Sequence, residues 1–164
     1  MRIAKAKSAL KSISHPEALD LAIAYGWIDA LKKSEGSTSW LQRWTPRKPK
    51  GLWSKINTDK AIALIESGRM KSSGMAEVEK AKADGRWDAA YQGSKAMEVP
   101  SDLLAALDKS PTARDFFDSL DRANRYAILW RLQTAPSPAA RQKRLEKFVD
   151  MLVEGKRIHE PPSR

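Results

Sequence analysis

The chain has 164 residues, 41% of them hydrophobic, with 30 basic against 20 acidic side chains and a formal net charge of +10. That length is enough for one domain that buries roughly 70% of its unfolded surface, and the absence of cysteine excludes disulfides and thiolate ligands and points to a reducing compartment. No stretch reaches the ~18 apolar residues of a membrane helix and the basic start MRIAKAKSALKSIS has no signal-peptide core, so a soluble cytoplasmic protein is expected, and the excess positive charge favours encounters with polyanions.

Residues 2–7 read as a short strand or an irregular start. Ser14 then opens a helix: Pro16 suits its first turn, Glu17 completes a capping box, Leu19, Ala22 and Ile23 form an apolar stripe, and Gly26 stops it. The turn-forming cluster Ser34 to Ser39 separates two aromatic-bearing flanks, Trp27–Lys32 and Trp40–Thr45, which predicts a β-hairpin. On a regular strand Trp40, Gln42 and Trp44 share one face, and Leu41, Arg43 and Thr45 the other. Pro46 and Pro49 end the pairing and enforce an extended basic loop up to Gly51.

From Asn57 the pattern is helical. One helix starts at Asn57 or Thr58, carries Ile62 and Ile65 on one side, and stops at Gly68. A second starts in the Ser72-Ser73 pair, turns Met75, Val78 and Ala81 inward, and stops at Gly85. Trp87 and Tyr91 are expected to pack over both. Beyond Pro100 four helices follow in succession, opening near Ser101, Ser110, Asp121 and Ser137. The last carries Leu145, Phe148, Val149 and Leu152 at i, i+3, i+4, i+7. If the chain has an internal boundary, it falls near Pro100.

An ordered set of short motifs runs through this framework: Gly26-Trp27-Ile28-Asp29, Thr45-Pro46-Arg47, Trp53-Ser54-Lys55 with Asn57, Gly68-Arg69-Met70, and Ala81 to Trp87 as AKADGRW. Val99-Pro100, Asn124-Arg125-Tyr126 and a closing helix bearing Arg141, Arg144, Leu145, Glu146 and Lys147 complete it. Taken together, about residues 15 to 157 resemble the YdeI/OmpD-associated family, also called the bacteriocin-protection family. The resemblance implies a bacterial domain with a small hairpin and a helical C-terminal half. It also implies a link to antimicrobial-peptide tolerance and outer-membrane protein biology, and it brings no catalytic residues. Family members usually carry a further strand and helix ahead of the point matching Arg2, which implies an incomplete sheet with an exposed edge here. The family pattern often has serine where this chain has Gly51.

Catalytic and metal chemistry finds little support in the residues. The two histidines, His15 and His159, lie far apart, and no phosphate-binding glycine loop, nucleophile elbow or zinc-protease motif occurs. Ser54 reads as a helix-capping serine and not as a nucleophile. Asp29 is expected to form a structural ion pair with Arg43 or Arg47, and Asp84 and Asp88 to flank a charged turn over a buried Trp87.

The segment WLQRWTPRKPKGLWSKIN stands out. Trp40, Trp44 and Trp53 alternate with Arg43, Arg47, Lys48, Lys50 and Lys55, without an acid between them. Exposed indoles beside fixed cations stack bases and grip phosphates; buried ones form core and leave the cations as a solvated rim. At least two of the three tryptophans are expected to be buried. The basic residues Arg141, Lys143, Arg144 and Lys147 of the last helix read as its wet face.

The sequence therefore predicts a mainly helical α+β fold: a small β-hairpin lobe, then a packed array of four to six helices. Residues 1–157 form one domain, with the hairpin and one helix in 1–56 and the helical part in 57–157, and 158–164 are a frayed tail. The expected function is a non-enzymatic cytoplasmic binding protein of the YdeI/OmpD-associated type. It would hold an anionic partner, nucleic acid or acidic protein, on the basic Trp-bearing loop, with no cofactor or metal. Two alternatives stay open: an enzyme of unknown reaction using Asp29 and Arg47, and an interaction module with an acidic partner.

Overall fold

Four of the described helices begin where a short polar side chain reaches the free amides of the first turn. In the computed structural model, which describes residues 1–160, Ser14 forms a complete capping box with Glu17 at the start of α1 (His15–Ala24). Ser54 accepts the Asn57 amide at 3.2 Å to open α2 (Lys55–Glu66). That start lies upstream of the Asn57 or Thr58 cap predicted, because a serine at Ser54 reaches an orphan amide without interrupting helical backbone. Asp121 and Ser137 cap α6 (Arg122–Gln133) and α7 (Pro138–Val153) in the same way. The remaining helices are α3 (Ser72–Ala83), α4 (Ser101–Asp108) and α5 (Pro111–Ser119).

The predicted hairpin is present and longer than expected: β2 (Trp27–Glu35) and β3 (Ser39–Pro46) are joined by a tight turn at Gly36, whose φ of 64° suits a residue without a Cβ. A third antiparallel strand, β1 (Arg2–Ala4), pairs with β3 and gives the order β1-β3-β2. The register breaks between Asp29 and Lys32, a bulge that leaves Leu31 among the most exposed apolar side chains. β2 is an edge strand, and its exposed Lys32 and Lys33 oppose pairing with another chain. The fold is α+β and mainly helical: among the described residues a small sheet, with α1 between its first two strands in sequence, is followed by six helices.

The chain divides into two compact units, Met1–Ala90 and Tyr91 onwards. In the first, Leu19 and Ile23 of α1 meet Ala61 and Leu64 of α2 and Val78 and Ala81 of α3, with Trp53 fully enclosed. The buried face of α2 runs through Thr58, Ala61 and Leu64; of the Ile62 and Ile65 pair placed on one side, Ile65 packs against this core and Ile62 is exposed. In the second unit Leu103, Leu107, Phe117, Ile128, Leu132, Phe148 and Leu152 form one core. Leu104 stays partly exposed, and Tyr91 lies edge-on to Trp130 at 6.0 Å, in this unit and not over α2 and α3. Buried Asn124 accepts the backbone amides of Ile158 and His159 and donates to the His159 carbonyl, at 2.8 to 3.1 Å. The tail expected to fray from residue 158 is thus anchored at its start; residues 161–164 of that tail lie outside the described residues.

Candidate functional site

The basic aromatic segment spans β3, the loop after it and the start of α2. On β3 the burial follows the predicted alternation: Trp40 and Trp44 are half-buried, Gln42 is buried, and Leu41 and Arg43 face solvent. Trp40 lies beneath the Lys32 ammonium at 4.3 Å. Trp44 stacks on His15 with ring centroids 5.5 Å apart, which gives His15 a packing role at the first turn of α1. No ion pair of Asp29 with Arg43 is present among the described residues. The Asp29 carboxylate faces His15 Nε2 at 3.6 Å instead, because strand register sets Asp29 opposite Trp44, whose ring holds the imidazole.

Two of the residues expected at the binding surface are inside the unit. Trp53 is 2% exposed and Arg47 8% exposed. The Arg47 guanidinium stacks on the Trp53 ring at 3.5 Å, and Trp87 packs on the same indole at 5.1 Å. A planar, weakly hydrated guanidinium is the cation best suited to burial against an aromatic face. Trp53 therefore cannot stack a base, and Arg47 acts as a structural bracket. Among Trp40, Trp44 and Trp53 only the last is fully buried, so the expectation of at least two buried is met only in part.

These buried groups fix the basic loop at four points. The Arg47 amide donates to the Gly26 carbonyl at 3.0 Å, and Arg47 Nη1 to the Leu52 carbonyl at 3.3 Å. Gly51 closes a turn onto the Lys48 carbonyl at 2.8 Å, and Arg86 Nη1 donates to the Gly51 carbonyl at 2.9 Å. Arg86 is itself held by Asp84 through two 2.8 Å contacts, and this pairing draws the Asp84 carboxyl below its usual range. Lys48 and Lys50 are left exposed on a loop that cannot easily rearrange, and Arg43 is exposed on the adjoining strand. Lys55 is exposed too, but pairs with Asp59 one helical turn on, at 3.1 Å.

An apolar groove of about 380 Å³ was not legible beforehand. It runs between α1 and the sheet, lined by Leu21, Tyr25, Trp27 and Trp44. Tyr25 is 52% exposed and Leu21 48%. Leu21 sits off the Leu19–Ile23 stripe, and an apolar residue off the stripe was the available signal. Among the described residues no cluster of three or more His, Asp or Glu side chains could hold a metal ion, and no helix is long and apolar enough to cross a membrane.

Residues 96–155 match the family model described as Bacteriocin-protection, YdeI or OmpD-Associated. Val99-Pro100, Asn124-Arg125-Tyr126 and the Arg141 to Lys147 motif lie within the match; the motifs between Gly26 and Trp87 lie outside it. Residues 1–77 match a different model, a domain of unknown function (DUF8412), so the resemblance read over residues 15 to 157 is carried by the C-terminal part. No curated protein and no solved structure matches the chain.

Proposed function

We propose that the chain is a non-enzymatic cytoplasmic binding protein, linked to antimicrobial-peptide tolerance as the family's description suggests, whose N-terminal unit holds an anionic partner on the basic loop. One observation carries the reading. From Gly36 to Thr58 the sequence has five cations and no acid, and the fold uses Arg47 to immobilise the loop that presents Lys48 and Lys50. A loop ordered in advance loses little entropy on binding.

Arg43, Lys48 and Lys50 are the cations open to phosphates. Three contacts to a single strand give a log affinity against log salt slope of about −2, or roughly a 20-fold loss between 50 and 200 mM salt. Fluorescence anisotropy of a labelled single-stranded oligonucleotide measures it. Lys48→Ala and Lys50→Ala should each flatten the slope by about 0.7. A salt-independent affinity, or one unmoved by both substitutions, removes nucleic acid as the partner. Competition by polyglutamate at equal charge would then identify an acidic protein as the partner class.

A further inference from the structure

The C-terminal unit holds a cavity of about 270 Å³, separate from the basic loop. Its floor is apolar, made by Met97, Val99, Leu120 and Leu129. Its polar wall comes from the first turns of α6: Arg122, Arg125 and Tyr126. None of the lining residues is acidic. Two guanidiniums over a greasy floor, with no carboxylate among them, are a mismatch unless an anion with an apolar body fills the space.

The two arginines differ in how they are held. Arg125 stacks over Phe117 at 5.0 Å and reaches Asp118 only at 4.0 Å. Arg114 engages the same carboxylate at 2.9 Å. The Arg125 guanidinium is thus oriented without being neutralised by a close pair. Arg122 has no hydrogen-bond or ion-pair partner among the described residues. The nearest acid in sequence, Asp121, spends its oxygens on the Asn124 amide and side chain, at 2.8 and 3.1 Å. The Tyr126 hydroxyl has no hydrogen-bond partner among the described residues either, and partial burial raises its pKa, so it stays a donor at neutral pH.

We propose that this cavity binds a small organic carboxylate, its anionic head between Arg122, Arg125 and Tyr126 and its hydrocarbon part on the Met97–Leu129 floor. A cavity this small matches a short chain or a single ring and not a larger cofactor. The site lies within the segment that matches the YdeI/OmpD-associated family. It is independent of the basic loop, so either can fail without the other.

The test is a titration of the full-length protein with octanoate, octanol and inorganic phosphate, followed by amide chemical shifts. Octanoate should give saturable shifts clustered at residues 97–99 and 120–129. Octanol and phosphate should each bind about tenfold or more weakly, since each lacks one half of the recognition. Arg122→Gln should weaken octanoate about tenfold, the loss of one charge-assisted contact. Arg122 is exposed and has no partner among the described residues, so this variant should unfold at the same temperature as the parent. Tyr126→Phe should weaken octanoate severalfold. No saturation at the cavity, equal affinity for octanol or phosphate, or an Arg122→Gln variant that binds octanoate as tightly as the parent would overturn the proposal.

Discussion

Gly74 offers the sharpest check on the packing of the N-terminal unit, because local and tertiary physics predict opposite signs there. It lies in the first turn of α3. By helix propensity alone, Gly74→Ala should stabilise the protein by about 1 kcal/mol. The fold leaves no room for the methyl group: a Cβ at Gly74 would stand 2.2 Å from the Ala24 carbonyl oxygen, 2.7 Å from its carbon and 2.6 Å from Met70 Sδ. The methionine can swing away, but the carbonyl is backbone. Relief requires α1 and α3 to part by about an ångström, a typical overpacking cost of about 1–3 kcal/mol. Parting them also strains the Lys71 amide bond to the Ala24 carbonyl and the Ser73 hydroxyl bond to the Tyr25 carbonyl, both 3.1 Å, worth about 1 kcal/mol each. Less the gain in propensity, the net loss is about 2–4 kcal/mol. Urea unfolding followed by tryptophan fluorescence reads this directly, since Trp27, Trp40, Trp44, Trp53 and Trp87 all lie in the N-terminal unit and only Trp130 lies outside it. Ala76→Gly, on the exposed side of the same helix, calibrates the propensity scale at about 1 kcal/mol. A Gly74→Ala protein as stable as the parent, or more so, would refute the close approach of α1 and α3.

Two further outcomes follow from single side chains. Glu35 accepts from Arg2 at 2.8 Å and from the Ser39 hydroxyl at 2.9 Å, and these bonds, that from Arg2 foremost, lower its pKa from 4.5 to about 2. A carboxyl depressed by folding contributes stability above its unfolded pKa and loses it as pH falls towards the folded value. The parent should therefore exceed Glu35→Gln in stability at pH 7, and the gap should close between pH 4.5 and 2 in parallel thermal melts; a gap independent of pH would show that the carboxylate is not the contributor. Asn124→Ala removes the acceptor for the Ile158 and His159 amides. It should cost about 1–3 kcal/mol and speed tryptic cleavage after Lys156 and Arg157; unchanged cleavage would mean the tail is held by other contacts.

Where an element is set by neighbours in sequence, the letters sufficed to place it. The Ser14–Glu17 box, the glycine stops and the Leu145–Leu152 stripe each depend on contacts a turn apart, and each is where it was expected. The alternation of Trp40, Gln42 and Trp44 followed from strand geometry in the same way. What was misplaced depended on partners distant in the chain. Ile62 and Ile65 lie on one side of α2 by spacing, yet only Ile65 packs against the core, beside Ala61 and Leu64, while Ile62 is exposed. His15 met Asp29 and Trp44 because β2 and β3 brought those two into register beneath α1. The Arg122–Tyr126 cavity was invisible because its floor joins Met97 and Val99, ahead of α4, to Leu120 and Leu129, while its polar wall comes from the start of α6.

The sequence by itself determined the mainly helical α+β class, the hairpin, the acid-free basic stretch and the family likeness, because periodicity, turn chemistry and composition are one-dimensional properties. Tertiary structure alone decided which cations of that stretch meet solvent. Arg47 and Lys48 are adjacent and both charged, yet one donates to the Leu52 carbonyl and stacks against Trp53 while the other projects. Burying a guanidinium needs an aromatic face and carbonyl acceptors converging from separate segments, and that convergence exists only once the chain has folded.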